Sequence, residues 1–435
     1  MLKTIRLKNF KLHEDTLIEA APITVFIGPN NSGKSSIFQA LLLLRQAASR
    51  NDQFLCQSTT GEMPAQPPYQ YSAQRAVDMG RFEEVLRRTE NDLQVEFSGI
   101  VHARKPVGWM DQACVSAHVL IRENQLVSHD GSVDVRGNKT SWEFVQGTPI
   151  KISALRLRDV QYLLQVAHTF QLTGSGGYRS DSPNLPPETL LQYNETSQWL
   201  AALSTNLLRS MHPIYALRGF EEWGYPITGF PPTSLELLTL HDRAIALPNA
   251  LASDRRLKER LSEQLEGLLQ ISIDFEVVAG QRLKIWAKGS ANNASETLFV
   301  NEGTGANQVP FIIVPVLLTP PNETVLLSEP EAHLHPKRQC ELMRLLLTVA
   351  KKENIQFFIE THSEHVLHTI LNAVARDEWS PADVALYYFA EPKNGVAEVG
   401  KREINQFGQV DGGLPGFFEQ SLSELTDYLK ALSKT

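Results

Sequence analysis

The feature that most constrains the fold of this chain is a glycine-rich run, GPNNSGKSS, at residues 28–36. It fits the pattern G-x-x-x-x-G-K-[ST], in which glycines let backbone N–H groups curl around phosphate oxygens. The compact apolar run ITVFI (23–27) precedes it, and the helical pattern SSIFQALLLLRQAAS follows it. A buried strand that leads through such a turn into a helix predicts a phosphate-binding loop on a sheet covered by helices.

The loop also predicts its ligand. Lys34 offers a cation to the β- and γ-phosphates, Ser35 offers a hydroxyl to Mg²⁺, and the following helix adds its positive N-terminal end. ATP and Mg²⁺ are therefore the expected ligands, with Ser35 as the metal-binding residue. The residues predicted to bind the nucleotide here are Gly28, Pro29, Asn30, Asn31, Ser32, Gly33, Lys34, Ser35 and Ser36.

The rest of the chain divides by its periodicity. Residues 92–172 alternate repeatedly between polar and apolar, which predicts a mainly antiparallel meander, whereas 186–211 and 250–269 have helical patterns. From 324 onward apolar runs alternate with helices, as in a parallel sheet. The prediction is an α/β fold with a mixed sheet flanked by helices. Its parts are a split core (1–60 and 290–435), an antiparallel β lobe (85–180) and a helical insertion (185–275) that could dock a partner.

Two runs place acids or a histidine at the end of an apolar strand. These are TVLLSEPEAHLHP (324–336) and QFFIETHSEH (356–365). Such ends in a parallel sheet lie beside the phosphate loop. Glu329 could then orient or deprotonate an attacking water, and His362 could contact the γ-phosphate.

These motifs together resemble an ABC-type ATPase head of the SMC, RecF and OLD-like kind, found among prokaryotic DNA-repair and phage-defence ATPases. The ABC pattern D-E-P-T-S-A-L-D-P overlays without gaps on SEPEAHLHP (328–336). The resemblance implies a P-loop NTPase fold of ABC type, with Glu329 as the catalytic glutamate. It also implies that His362 is the switch histidine and that residues 332–335 form a D-loop facing a partner subunit.

The resemblance extends to three further segments. NEGTGANQVPFII (301–313) resembles the signature segment, which in the family touches the γ-phosphate bound to the opposite subunit. The opening of the chain through the phosphate loop resembles the start of these heads, and 404–424 resembles the end of one prokaryotic branch. A homodimer closed around two ATP molecules is implied. The signature residues assigned to the nucleotide are Gly303, Gly305 and Asn307.

The sequence departs from the family pattern at one position of consequence. Ser328 stands where the Walker B acid is expected, and a serine binds Mg²⁺ weakly or through water. Glu331, two residues beyond Glu329, could help, although alternation at a strand end does not fix its direction. We therefore expect firm nucleotide binding and slow or partner-stimulated hydrolysis.

Other residues leave alternatives open. Arg218, in LRGFEEWGYP (217–226), could reach the nucleotide or DNA or could serve the structure. The glutamine of the family's Q-loop could be Gln70, Gln74 or Gln94. The pair His333 and His335 is expected to pack in the D-loop rather than bind metal, and His365 and His368 are expected to be ordinary surface residues.

The leading functional hypothesis is an ATPase whose dimerisation around ATP drives a conformational switch in a DNA-repair or anti-phage complex. An effector protein or DNA would respond to this switch. The alternative is a nucleotide-gated scaffold with little turnover that holds a partner toxin or nuclease. A transporter ATPase ranks third, since the LSGGQ motif is absent. No nuclease domain is expected, because Thr435 follows the ETHSEH motif by only 70 residues.

Composition agrees with a cytoplasmic protein that makes no membrane contact. The sequence is 42% hydrophobic and 21% charged, and its three cysteines form no CxxC pair. Its longest apolar run, VPFIIVPVLL (309–318), is shorter than the ~20 residues of a membrane span. The net charge of −8 provides no overall attraction for nucleic acid, so any DNA contact would need a local basic patch.

Overall fold

The structure is a computed structural model that describes residues 1–48, 86–87, 92–107, 110–122, 125–135, 138–145, 151–153, 206–227, 243–289 and 296–414. The strands within these residues are β1 Leu2–Phe10, β2 His13–Glu19, β3 Ile23–Ile27, β4 Asp92–Val107, β5 Met110–Arg122, β6 Gln125–Val135, β7 Asn138–Val145, β8 Lys151–Ser153, β9 Met211–Ile214, β10 Tyr225–Pro226, β11 Ile271–Val278, β12 Arg282–Gly289, β13 Glu296–Leu298, β14 Thr324–Ser328, β15 Gln356–Glu360, β16 Val384–Phe389 and β17 Val399–Arg402. The helices are α1 Lys34–Ala48, α2 Arg243–Ser253, α3 Arg255–Leu269, α4 Thr304–Gln308, α5 Pro310–Leu318, α6 Pro336–Glu353 and α7 Glu364–Ala375, with 3-10 turns at Phe299–Asn301 and Pro381–Asp383.

A six-stranded sheet in the order β17-β16-β3-β15-β14-β9 forms the centre of the described structure. Neighbouring strands run parallel except β17, which pairs antiparallel with β16. All five residues of β3 are buried, as expected for a strand covered on both faces. The predicted mixed sheet flanked by helices is therefore confirmed. Because β3, β14 and β15 are parallel, their carboxyl ends lie along one edge of the sheet.

The two faces of this sheet bury alternate residues of each strand, as the two-residue period of a β-strand requires. On one face Phe26, Leu326 and Phe358 join a hydrophobic cluster with α1. On the other face, the strand residues that alternate with these three, such as Val25, Val325 and Phe357, pack with side chains of α2, α3, α5, α6 and α7. The phosphate-loop helix is thus held on one face, and the helices that follow the later strands are held on the opposite face.

A seven-stranded antiparallel sheet, in the order β2-β1-β4-β5-β6-β7-β8, covers α1 from outside. Strands β4 to β8 pair antiparallel in chain order within the segment where a meander was predicted, and residues 154–172 lie outside the described part. Strands β1 and β2 fall in the segment that the sequence assigned to the core, yet β1 pairs with β4. Its buried alternate residues Ile5 and Leu7 lie opposite Phe97 and Val95, so one apolar face extends across both segments.

The expected helical insertion (185–275) is helical only in part. Helices α2 and α3 lie in it, and α3 buries a leucine at every turn or so, as its sequence pattern predicts. However, the four-residue strand β9 within this segment pairs parallel with β14 and so belongs to the central sheet. A run as short as MHPI carries too little periodicity to be distinguished from a helix in advance.

The most apolar helix, α5, is buried along nearly its whole length within the core. Its first residue, Pro310, occupies a position where the missing N–H costs nothing, because the first turn has no partner for it. In the described part of the chain, no helix combines the length and the apolar character needed to cross a membrane.

Candidate functional site

The phosphate loop leaves β3 through a backbone conformation that requires glycine. Gly28 has φ of +142°, and a Cβ there would lie 2.1 Å from the backbone oxygen of Phe389. Any side chain would therefore clash with the end of β16, the neighbouring strand. This first glycine fixes where the loop starts relative to the sheet.

Lys34 occupies the centre of the loop. Its ammonium group donates hydrogen bonds to the backbone oxygens of Gly28, at 3.1 Å, and Pro29, at 2.6 Å, and only 3% of the residue is exposed. Burial lowers the pKa of Lys34, while the nearby carboxylates of Glu360 and Glu329 raise it. The loop thus combines three features that suit a polyphosphate: a cation, backbone N–H donors and the N-terminus of α1. The first turn of α1 contains no acidic residue that would repel the phosphates.

His13, which belongs to no sequence motif, hydrogen-bonds to the backbone of the phosphate loop. Its Nε2 lies 3.0 Å from the backbone oxygen of Gly33 and its Nδ1 lies 2.9 Å from the Thr16 hydroxyl. Because a carbonyl can only accept, Nε2 carries the proton and Nδ1 accepts from the hydroxyl. Burial lowers the pKa of His13 to about 4, so the ring is neutral at physiological pH. The histidine therefore acts as a fixed, uncharged brace.

This brace predicts a pH-dependent contribution to stability. The pKa of His13 is near 6.5 in the unfolded chain and about 4 in the folded protein. The contribution of the neutral ring to the free energy of unfolding is therefore complete above pH 6.5 and is lost as the pH falls. Between pH 7.5 and pH 5 the loss should be about 2 kcal/mol. The variant His13→Gln retains an N–H donor for Gly33 but does not titrate. Its thermal unfolding midpoint should fall less than that of the wild type over this interval.

The matched control for this measurement is His365→Gln, since the His365 side chain is exposed on α7. That variant should keep the wild-type pH dependence. An equal pH dependence in His13→Gln and wild type would contradict the assignment of a buried, neutral His13.

The edge of the sheet that carries the phosphate loop holds Glu329 in a strained backbone conformation. Glu329 has φ of 45°, and its N–H donates to the backbone oxygen of Glu360 at 2.8 Å. Arg218 donates to the backbone oxygens of Ser328, at 2.9 Å, and Glu329, at 2.7 Å, and also binds the Tyr215 carbonyl. Of the alternatives for Arg218, these contacts favour the structural one. It fixes the main chain on both sides of the Ser328–Glu329 bond.

Glu360 and Glu331 are buried carboxylates at the same edge. The Ser35 hydroxyl donates to Glu360, and Glu331 accepts a 2.7 Å hydrogen bond from the backbone N–H of His362. Burial raises the pKa of both carboxyl groups above the ordinary value for glutamate. Glu331 therefore faces inward as a support for His362, while Glu329 is the partly exposed acid at this edge.

His362 follows β15 directly and is half-buried. Burial, together with the nearby charge of Lys34, lowers its pKa, so its imidazole is uncharged at neutral pH. The helix that follows is capped by Ser363, whose hydroxyl accepts from the N–H groups of His365 and Val366. The cap fixes where α7 begins and hence the position of His362.

The signature segment lies against the D-loop of the same chain. A Cβ on Gly305 would lie 2.4 Å from the backbone oxygen of His333, and the Gln308 amide donates to the Ala332 oxygen. Gly303 and Gly305, with Leu334 and Arg338, help to line an open pocket of about 470 Å³. In the described part of the chain, the hydrogen bonds of this segment's side chains do not reach the phosphate loop.

Asn307, predicted to bind the nucleotide, has both ends of its amide engaged within the fold. Its Oδ1 accepts from the Phe220 N–H at 2.6 Å, and its Nδ2 donates to the Phe220 carbonyl at 2.9 Å. These two bonds orient the side chain toward Phe220, while each end of the amide keeps one further hydrogen-bonding position. The role assigned to Asn307 stays a prediction.

The structure therefore brings most of the predicted residues together and leaves one group apart. Residues 28–36, Glu329 and His362 meet at one edge of the central sheet, whereas the signature residues do not join them. Of the Q-loop candidates, Gln94 lies on β4 opposite Lys8, and the other two lie outside the described residues. The sequence reading gave no role to His13 or Glu360. Glu360 could have been identified from the sequence, since it is the first acid of the ETHSEH motif, at the end of an apolar strand.

Comparison with known families gives two matches. The family profile described as AAA ATPase domain matches residues 1–165 and 269–367. A second profile, described as a protein of unknown function (DUF3696), matches residues 380–427. A search of curated proteins found no match. The second match covers the tail segment whose likeness to one prokaryotic branch was noted from the sequence.

Three solved structures are similar to this chain at 13% identity. An SMC head bound to the C-winged helix domain of ScpA has a TM-score of 0.45, with 92% of this chain and 97% of that chain covered. The SMC head domain from Thermotoga maritima has a TM-score of 0.40, with 92% and 98% covered. An Smc head with an extended coiled coil, bound to the C-terminal domain of ScpA derived from Pyrococcus furiosus, has a TM-score of 0.42, with 98% and 99% covered.

Proposed function

The chain belongs to the AAA ATPase domain family, and on this premise we propose that it binds ATP at residues 28–36, hydrolyses it slowly and uses ATP to close two copies into a dimer. The observation that supports this most strongly is the arrangement at the sheet edge. Lys34, Ser35, Glu329 and His362 come from three separate segments and share one small region. Each has the chemistry that phosphoryl transfer requires.

ATP binding rests on the phosphate loop. Lys34 can exchange the carbonyls of Gly28 and Pro29 for phosphate oxygens, because its ammonium group already lies inside the loop. Ser35 is exposed, and its hydroxyl and the Glu360 carboxylate are hard oxygen donors in mutual contact, which fits a Mg²⁺ site. Mg²⁺, when bound, would neutralise charge on the phosphate oxygens.

Hydrolysis is assigned to Glu329 and His362. Glu329 would accept a proton from the attacking water or orient it, and its main chain is already fixed by Arg218 and by the carbonyl of Glu360. The neutral His362 would donate or accept a hydrogen bond at the γ-phosphate. We propose that turnover is slow because Ser328 brings no carboxylate to the usual acid position.

Dimerisation is proposed because the signature segment does not serve its own phosphate loop. Its hydrogen bonds in the described structure go to Phe220 and Ala332. In the ABC-type arrangement implied by the sequence, Gly303 and Gly305 of one copy would approach the γ-phosphate bound to the other. Two phosphate loops and two signature segments would then enclose two ATP molecules.

An effector protein, and DNA, are proposed as the partners that read this switch in a DNA-repair or anti-phage complex in the cytoplasm. The resemblance seen in the sequence supports this setting. Two basic residues near the start of the chain lie beside carboxylates, since Arg6 pairs with Asp15 and Lys8 lies 3.6 Å from Glu96. In α3, Arg255 pairs with Glu259 and Lys258 with Asp274.

The alternative function is a nucleotide-gated scaffold that holds or releases a partner toxin or nuclease with little turnover. Ser328 favours this alternative, because it removes the acid that normally helps to hold the metal. The intact Glu329 favours the ATPase.

The experiment that separates these functions measures ATP turnover and oligomeric state together. With Mg²⁺ the wild type should hydrolyse ATP at less than about one molecule per second, which is slow for an enzyme, and ATP should convert monomer to dimer in light scattering. Dimerisation without turnover, with or without duplex DNA, would favour the scaffold. The absence of both nucleotide binding and dimerisation would exclude both functions.

A further inference from the structure

The strand order places an acid beside the position where the Walker B acid is missing. Ser328 and Glu360 are register partners at the ends of the parallel strands β14 and β15. Strand β15 also pairs with β3, which leads into the phosphate loop, so it lies between the two. Glu360 is therefore one strand nearer to the phosphate loop than residue 328.

Glu360 contacts both the phosphate loop and the segment that carries Glu329. Its carboxylate accepts a hydrogen bond from Ser35, the loop residue whose hydroxyl is suited to the metal. Its backbone oxygen accepts from the N–H of Glu329 at 2.8 Å. The side chain also lies close enough to Lys34 for the two charges to interact.

The identity of this residue argues for a role beyond bracing Ser35. Only 3% of Glu360 is exposed, and burying a carboxylate is costly unless its charge is used. A neutral glutamine would accept the Ser35 hydrogen bond equally well. A carboxyl group at this place suits a neighbouring cation, and Lys34 already favours its charged form.

We infer that Glu360 supplies the carboxylate that position 328 lacks, holding the Ser35 hydroxyl and the hydration shell of the Mg²⁺ that accompanies ATP. The carboxyl group lies at the end of the adjacent strand, and the glutamate side chain reaches Ser35 from there. This inference rests on the proposed binding of ATP at the loop. It explains how an ATPase site can tolerate Ser328.

The test measures the affinity of a fluorescent ATP analogue in Mg²⁺ and in EDTA for four proteins: wild type, Glu360→Gln, Ser328→Asp and the double variant. Glu360→Gln should reduce the gain in affinity produced by Mg²⁺ by about 10-fold or more, the usual effect of removing a metal-orienting partner. Its affinity in EDTA should be retained or increased, since a negative charge near the phosphates is lost. Adding Ser328→Asp to Glu360→Gln should restore most of the Mg²⁺ effect.

A second readout does not depend on nucleotide fluorescence. Mn²⁺ bound with ATP should give an electron paramagnetic resonance signal that weakens in Glu360→Gln and returns in the double variant. Thermal unfolding of each variant checks that it folds.

The outcomes separate this inference from the proposed function. A folded Glu360→Gln protein with the full Mg²⁺ effect would overturn the role of Glu360 and leave ATP binding standing. A wild type that binds no nucleotide in either condition would overturn both. Loss of the Mg²⁺ effect without rescue by Ser328→Asp would support Glu360 and show that position 328 no longer reaches the metal.

Discussion

The variant Lys34→Ala should lose ATP affinity by about 100-fold or more, because hydrogen bonds to a charged group contribute about 1.5–3 kcal/mol each and Lys34 can make more than one to the phosphates. The ammonium group is buried in the loop and bonded to Gly28 and Pro29, so its position is already set before ATP arrives. Isothermal titration calorimetry with ATP and Mg²⁺ measures the loss directly.

A matched control is Lys337→Ala at the start of α6, where 72% of the side chain is exposed. Both variants remove one positive charge, so a general electrostatic effect would appear in both. Loss of affinity should be confined to Lys34→Ala. If the affinity of Lys34→Ala stays within threefold of wild type, ATP does not bind at this loop.

Replacing Glu329 by glutamine should reduce ATP turnover by about 100-fold to 10,000-fold, the range expected when a general base is removed. ATP binding should change little, since the substitution preserves shape and the main chain is held by Arg218 and Glu360 rather than by the Glu329 carboxylate. The ATP-bound dimer should consequently persist much longer in Glu329→Gln. Phosphate release and light scattering over the same time course measure both effects.

Glu331→Gln provides the comparison, because Glu331 is the other acid of the same loop. Its carboxylate is buried and accepts from the His362 N–H, so an attacking water has less access to it than to the partly exposed Glu329. Turnover should fall far less in Glu331→Gln than in Glu329→Gln. Retention of more than a tenth of the wild-type rate by Glu329→Gln would show that another group activates the water.

The sequence was sufficient for the parts of the fold that local pattern determines. ITVFI, the glycine-rich loop and the helix after it are adjacent in the chain, so strand, turn and helix could be predicted together. The later strands TVLL and IQFFI were equally clear, because each is a short apolar run followed by a long amphipathic helix. Because Glu329 and His362 directly follow these strands, their position beside the phosphate loop could also be predicted.

The remaining features depend on distant pairings that no local pattern records. Ser35 and Glu360 are 325 positions apart, and their contact exists only because β15 lies next to β3. Strand β9 is too short to show a period, so its place at the edge of the central sheet was missed. The bonds from Asn307 to Phe220 likewise require an intervening fold that the motif match alone does not contain.

The short segment after β9 carries two sets of bonds, and this has a mechanical consequence. The Arg218 side chain donates hydrogen bonds to the backbone oxygens of Ser328 and Glu329. Two positions later, the backbone N–H of Phe220 donates to Oδ1 of Asn307 in the predicted signature segment. Gly219 between them has φ of +144°, and a Cβ there would lie 3.3 Å from Oδ1 of Asn307, so a larger residue at this position would be strained and tightly packed. Glu329, the proposed base, and Asn307, in the proposed dimer surface, are therefore both bonded to one short segment, so we expect a displacement of either to be transmitted to the other.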